Sequence, residues 1–311
     1  MLNAVWQIKL SAKVLGMLDP KKFTLIKESF QLNKSVTQVL IENGFAIDFS
    51  TLELIYDLQA GSYTRFAYSN EAHINSFTDE IIQVLKNFVS KTDTILDCGT
   101  GEGTTLKLIV NKLEFEKILA LDASWSRLSF AIQNTQPSNI KYAVGDIANI
   151  PLKSNSIEVV LTVHALEPNG GRELQLLREM ARVSSKLLVL VEPDFDNSSS
   201  DQKVRMKSLN YINSLDKYFQ IAGLKCIYKN KISNNINPLN VAYIYVLKKL
   251  DFTESGLTSE WVCPVNMDEL SYFGSGLLSL NGLFYPSLGT IPFLRRQDAK
   301  FVTNPNPGLV L

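Results

Sequence analysis

The sequence predicts an α/β protein: a doubly wound sheet with an antiparallel last strand, a helical N-terminal region before it and a small β-rich C-terminal module after it. Three observations carry that prediction. Between residues 91 and 250, short and nearly all-apolar runs alternate with amphipathic stretches, as expected for strands buried on both faces of a parallel sheet and the helices between them. The last link of the series, 229–240, is polar, rich in Asn and without apolar periodicity. It therefore holds no crossover helix, and the strands it joins should run antiparallel. The texture changes on either side: residues 1–90 mix helical patterns with an aromatic-rich stretch, and 256–311 is short, turn-rich and punctuated by Gly and Pro.

Taken in order, Asp19-Pro20 reads as a cap followed by proline at the first helical position. Residues 33–43 read as a second helix stopped by Gly44. A third is expected over 77–89, with Phe77, Ile81, Leu85 and Phe88 at helical spacing and Ser76 as its cap. The stretch between them, around Tyr56, Gly61, Tyr63, Phe66 and Tyr68, reads as partly loop. Strands are expected at 94–96, 118–121, 140–144, 157–163, 187–191, 224–228 and 241–247. Helices should separate them at 103–113, 124–134, 171–183 and 204–222, the last with Met206, Leu209, Ile212, Leu215, Phe219 and Ala222 on one stripe.

Composition bounds the function. At 311 residues, with 45% hydrophobic and 20% charged side chains, the chain is an ordinary globular one of two domains or one domain with sizeable additions. Lys plus Arg and Asp plus Glu each number 31, so no global field attracts a phosphate backbone, which argues against a nucleic-acid partner. The three Cys, at 98, 226 and 263, are far apart and odd in number, so a reducing, cytoplasmic setting without a disulfide framework is expected. Cys98 and Cys226 read as packing residues. No apolar run approaches the ~18 residues of a membrane span. The N-terminal stretch, broken by Lys9 and Lys13, reads as mature protein and not as a signal peptide.

The first strand leads into Asp97-Cys98-Gly99-Thr100-Gly101-Glu102-Gly103 and then a helix. Glycines placed so allow a tight turn and close approach of backbone to a ligand. The spacing is D-x-G-x-G-x-G; a dinucleotide fingerprint would put its third Gly at position 104, which is Thr104. The second strand ends at Asp122, where a carboxylate can accept from both hydroxyls of a ribose; the alternative is that Asp122 or Ser124 caps the 124–134 helix. The third ends in Gly145-Asp146-Ile147, where Asp146 can accept an exocyclic amine and Ile147 can pack on a ring; the alternative is an ordinary loop Asp.

These stretches, ILDCGTGEGTT, ALDAS, VGDIANIPLKSNSIEVVLTVHALEP and LLREMARVSSKLLVLVEP, follow in order over 95–193. They resemble the class I S-adenosylmethionine-dependent methyltransferases, in particular the ubiquinone/menaquinone-biosynthesis type. The resemblance implies a Rossmann-like seven-stranded sheet and S-adenosylmethionine as cofactor, with S-adenosylhomocysteine as product. It implies that Gly99, Gly101 and Gly103 line the methionine end, that Asp122 binds the ribose, and that Asp146 and Ile147 take the adenine. Asp97, Thr100, Ala123 and Thr162 complete the implied cofactor set. Residues 162–168 would then face the sulfonium and the acceptor, and His164 is the titratable group among them. It either accepts a proton from the nucleophile or supports the cofactor loop. Tyr56, Tyr63, Phe66 and Tyr68, with His73 nearby, either form a lid over the site or join the N-terminal helices to the sheet. The Asn-Pro-Pro-Tyr-type tetrapeptide of DNA and protein amide methyltransferases is absent, with HALEPN in its place, and no Pro-Cys pair supplies a cytosine nucleophile.

The tail carries a second resemblance. Trp261-Val262-Cys263-Pro264 and the Tyr285-Pro286…Ile291-Pro292 spacing are similar to the small zinc-ribbon-like proteins that activate tRNA and translation-factor methyltransferases. A closed zinc site needs four ligands. Here Cys263 stands alone, with Asn266 at the second position of the pair, so no metal is expected. The module should then be held by docking on its own methyltransferase domain, using Leu277, Leu278, Leu280, Leu283, Phe284, Ile291 and Phe293. The leading expectation is transfer of a methyl group to O or N of a small molecule, such as a sugar or secondary metabolite. The alternatives are a tRNA or protein methyltransferase with a fused activator, for which Lys225, Lys229 and Lys231 form too sparse a patch, and a cofactor-binding protein without turnover.

Overall fold

The computed structural model describes residues 19–32, 34–135, 139–237, 239–250 and 260–302. The N-terminal stretch read as mature protein and both ends of the 256–311 module lie outside them. The chain forms two units, Met1–Gln59 and Ala60–Leu311.

In the first unit, Asp19 accepts from the Lys21 and Lys22 amides and starts α1 (Pro20–Gln31). Ser35 caps α2 (Val36–Glu42), so this helix begins later than the spacing suggested. A further helix, α3 (Phe49–Gln59), is not among those the spacing predicts, and its last turn enters the stretch from Tyr56 that reads as partly loop. Its missed signal is Asp48, which accepts from the amide and hydroxyl of Thr51 as an N-cap does. Ile26, Val36, Leu40 and Ile55 form the core of this unit. Tyr56 belongs to it.

The second unit opens with α4 (Ser62–Ser69), also within the stretch expected to be partly loop, and α5 (Glu71–Phe88). Ser76 is therefore inside α5, not its cap. Ile74 extends the apolar face of Phe77, Ile81 and Leu85 one turn upstream, and Glu71 sits favourably in the first turn.

The sheet follows: β1 (Thr94–Cys98), α6 (Thr104–Val110), β2 (Lys117–Asp122), α7 (Trp125–Asn134), β3 (Ile140–Val144), β4 (Ile157–Val163), α8 (Glu173–Val183), β5 (Ser184–Pro193), α9 (Ser200–Ser208), α10 (Asp216–Phe219), β6 (Leu224–Lys231) and β7 (Ala242–Lys249). The strand order is β3-β2-β1-β4-β5-β7-β6, with β7 antiparallel to both neighbours, as the polar 229–240 link predicts. Alternation splits the core between two faces. Leu96, Cys98, Leu119 and Leu121 point to one, and Ile95, Ile118 and Ala120 to the other. The order reverses between β1 and β4, and at such a switch point a crevice opens beyond the carboxyl ends of the strands.

Two expectations fail here. The helix predicted over 204–222 breaks after α9, which Ser199 and Gln202 start with a capping box. Asn210 and Ser214 adopt positive φ, and the Ile212 amide donates to the Glu167 carbonyl, so the chain dips towards the loop after β4. The apolar stripe survives the break because Met206, Ile212, Leu215 and Phe219 are all buried. Cys226 is exposed, not core, since β6 is the sheet's edge and buries only Leu224.

The last described residues form β8 (Leu270–Phe273), β9 (Gly276–Ser279), β10 (Leu283–Leu288), β11 (Ile291–Pro292) and β12 (Lys300–Phe301), in the order β11-β10-β9-β8 with β12 beside β10. Phe293 bridges to Val144 of β3 in parallel, and the Leu294 amide donates to the Val144 carbonyl at 2.7 Å. The Val262 amide donates to the Pro151 carbonyl, and Glu260 pairs with Lys117 and Lys141. Trp261, Cys263, Leu277, Tyr285 and Leu294 share an apolar cluster with Leu96 and Leu121. Leu280 takes no part in it; on the turn after β9 it is 85% exposed. Cys263 lies within hydrogen-bond reach of the Tyr285 hydroxyl at 3.2 Å, and Asn266 bonds Asp268.

Candidate active site

The glycine loop after β1 is bent by three left-handed residues, Gly99, Gly101 and Gly103. Gly99 is the most constrained. A Cβ there would collide with the Cβ of Ala165, so the loop lies directly against the segment after β4. The Gly99 and Thr100 amides donate to the Leu121 carbonyl, pinning the loop to the end of β2, and the Thr100 hydroxyl donates to the Asp97 carbonyl. Burial pushes the Asp97 carboxyl up to about 7, Thr100 opposing and Asp122 adding to the shift.

Asp122 is nearly buried at the end of β2. Its Oδ2 accepts from the Gly101 amide at 2.8 Å and its Oδ1 from the Ser124 amide at 2.9 Å. Helix α7 is capped by Ser124, whose hydroxyl accepts from the Arg127 amide. That decides the capping alternative against Asp122. Both Asp122 oxygens are hydrogen-bond acceptors, the chemistry that the two hydroxyls of a vicinal diol require. Ala123 follows, its carbonyl reached by the Arg295 guanidinium at 3.5 Å. Asp146, half-buried, accepts from the Ala148 amide through Oδ1, and Ile147 packs beside Gly99. Carboxylates at the ends of β2 and β3, with the glycine turn after β1 next to β2, fit an adenosine-bearing cofactor.

Thr162 is buried beneath the next loop, where His164 stands at φ 54°. A non-glycine residue in that region is uncommon and draws attention to the position. The His164 ring stacks on Phe77 with centroids 5.8 Å apart, and its Nδ1 bonds Glu167 Oε1. The same Oε1 accepts from Asn240 Nδ2 at 2.8 Å. Glu192, at the end of β5, accepts from the Ala165 and Leu166 amides. Burial disfavours the charged imidazole, but Glu167 and Glu192 outweigh it and hold His164 above its ordinary value. Burial, followed by repulsion from Glu167, pushes Glu192 up to about 7.

Of the aromatic candidates in this unit, Tyr63 comes nearest the glycine loop. The Arg127 guanidinium lies over its ring at 4.6 Å, and a Cβ at Gly101 would meet Arg127 Nη2 at 2.9 Å. Phe66 is half exposed, and Tyr68 points outward beneath Lys107. His73 reaches the Asn235 carbonyl in the β6–β7 link.

Residue types alone did not reveal Glu102, Arg127, Glu167, Glu192 or Asn240. Glu102, buried within the glycine loop, accepts from the Gly61, Tyr63 and Thr64 amides and so holds the N-terminus of α4. The one legible signal was spacing. Glu167 lies three residues after His164, and Glu192 ends an apolar strand.

Residues 95–186 match the model of the family described as "Methyltransferase domain". This part of the chain is a class I, S-adenosylmethionine-dependent methyltransferase domain. A curated relative, the ajmaline N-methyltransferase of Rauvolfia serpentina, is 22% identical over 171 residues, 53% of this chain and 56% of that protein. The match thus spans little more than half of the relative's length. A chain from the complex of the Haloferax volcanii Trm112 methyltransferase activator with a methyltransferase superposes with a TM-score of 0.51 at 16% identity, covering 62% of this chain and 96% of that one. At that identity the likeness concerns the fold. Among the described residues no helix is long and apolar enough to cross a membrane.

Proposed function

We propose that the methyltransferase domain methylates an oxygen or nitrogen of a small-molecule acceptor, with His164 as the group that takes the proton. The observation that carries this reading is the His164–Glu167 pair on the loop packed against Gly99. When bound, S-adenosylmethionine supplies a methyl group already activated by its sulfonium. Gly99, Gly101 and Gly103 would bend around its methionine end, Asp122 would receive the ribose hydroxyls, and Asp146 with Ile147 would hold the adenine. With Glu167 accepting from Nδ1, Nε2 is left as the free acceptor of the imidazole. His164 can then remove the proton that a hydroxyl or protonated amine must lose, while Phe77 fixes the ring plane. Position supplies much of the remaining rate. The curated relative's name supports a small acceptor. So does the neutral charge balance.

In the same reading the tail is a built-in counterpart of an activator subunit, docked along β3 beside the adenine-binding turn. Phe293, Leu294, Val262 and Glu260 support that placement. The test is methyl transfer from radiolabelled cofactor to a panel of phenols, amines, sugars, tRNA and protein. Transfer only to tRNA or protein would favour the fused-activator alternative. Binding of S-adenosylhomocysteine without any transfer would favour a cofactor-binding protein.

A further inference from the structure

A second guanidinium stands over Tyr211, next to the segment that borders the His164 loop. Arg205 stands on α9 and packs over the Tyr211 ring, 5.3 Å from its centroid. Its Nη1 is buried and, among the described residues, has no hydrogen-bond partner. A buried guanidinium N–H without an acceptor is costly, and the described residues supply none to Nη1.

The corner belongs to the acceptor side of the site. Ile212 donates its amide to the Glu167 carbonyl, and the Gly170 amide donates to the Asn210 carbonyl. The two segments run so close that a Cβ at Gly170 would come within 2.7 Å of the Tyr211 carbonyl oxygen. Tyr211 therefore borders the loop that carries His164. Burial, reinforced by the Glu167 charge, holds its phenol above the ordinary value, so it stays a neutral donor.

We propose that Arg205, with the Tyr211 hydroxyl beside it, binds an anionic group of the methyl acceptor, a carboxylate or a phosphate. The inference rests on the methyltransferase reading and deepens it. A planar guanidinium matches both groups through paired N–H donors. Arg205 brings a positive charge to this corner, so an anionic acceptor enters with its charge on Arg205 and its opposite end towards His164.

The test uses the full chain saturated with S-adenosylhomocysteine and three probes with one phenyl ring: benzoate, phenyl phosphate and benzamide. Calorimetry should give at least tenfold tighter binding of benzoate or phenyl phosphate than of neutral benzamide, as charge-assisted hydrogen bonds imply. Whichever anion binds more tightly identifies the group as carboxylate or phosphate. Arg205→Gln should abolish the preference and Arg205→Lys should retain part of it, with S-adenosylhomocysteine affinity and melting temperature kept in both. Equal binding of the three probes, no binding of either anion, or a preference that survives in Arg205→Gln overturns the proposal. Failure of the wild type to bind S-adenosylhomocysteine would overturn the methyltransferase reading instead.

Discussion

Glu167 holds the Nδ1 edge of His164, and it does so through the oxygen that also accepts from Asn240. The imidazole is thereby fixed in tautomer and plane while Nε2 stays unused by that bond. A histidine held above its ordinary value is neutral, and able to accept a proton, only at higher pH. Turnover should therefore rise with pH through the His164 titration. Replacing Glu167 by Gln removes the charge that raises it, so the acidic limb of the kcat profile should move to lower pH while the plateau falls. His164→Ala should cost about 10²–10⁴ in kcat, the usual contribution of a general base. An unshifted acidic limb in Glu167→Gln would remove His164 from the chemistry.

Asp122 spends one lone pair on each oxygen to order Gly101 and Ser124. Asp122→Ala should weaken S-adenosylhomocysteine binding by roughly 1–3 kcal/mol, the range of hydrogen bonds to a charged acceptor. It should also lower the melting temperature in the absence of cofactor, because two buried amides lose their acceptor. Calorimetry and thermal unfolding read the two effects separately. Unchanged affinity would end the ribose assignment.

Among the described residues Glu102 alone accepts from the Gly61, Tyr63 and Thr64 amides together. In Glu102→Ala these should lose hydrogen-exchange protection before the sheet does, and Tyr63 should lose its fixed place over Arg127. Global stability should fall by about 1–3 kcal/mol for buried donors left unpaired. Uniform loss of protection across β1 and β4 would show that Glu102 supports the whole domain instead.

Asp97 and Glu192 both sit near 7 because burial disfavours their charge. Their folded values lie above the unfolded ones, so the stability they contribute is fully present below about pH 4, the unfolded carboxyl range. It is lost as pH rises through about 7. The melting temperature should fall between pH 5 and 8, and Asp97→Asn should flatten part of that slope. A slope unaltered by Asp97→Asn would contradict the burial argument.

The tail contributes through backbone and apolar contact more than through charge. Glu260→Ala, which breaks a half-exposed pair of salt bridges, should cost no more than about 1 kcal/mol. Ending the chain at Lys249 removes Trp261, Cys263, Leu277, Tyr285 and Leu294 from a shared cluster, and should lower the melting temperature by several degrees. An unchanged melting temperature would leave the tail an appendage.

The sequence determined the seven-stranded sheet by itself. Runs such as Ile118–Leu121, apolar at every position, and Ile157–Val163, apolar but for Glu158 and Thr162, fit strands buried on both faces, and the polar 229–240 link ruled out a crossover. The glycine turn after β1 and the carboxylates Asp122 and Asp146 at the ends of β2 and β3 were legible because glycine bends and strand ends have fixed places in this topology. Tertiary structure decided the rest. Only folding brings Glu167 to His164 in a usable direction, sets Asn240 from the distant β6–β7 link on the same oxygen, and lays the tail's Phe293 along β3. Local pattern also failed where long-range bonds override propensity. The helix predicted over 204–222 breaks where Ile212 is drawn to the Glu167 carbonyl, and that break lays Tyr211, the ring under Arg205, next to the loop after β4. Periodicity records which side of an element is apolar, but a hydrogen bond between residues far apart in the chain leaves no periodic trace.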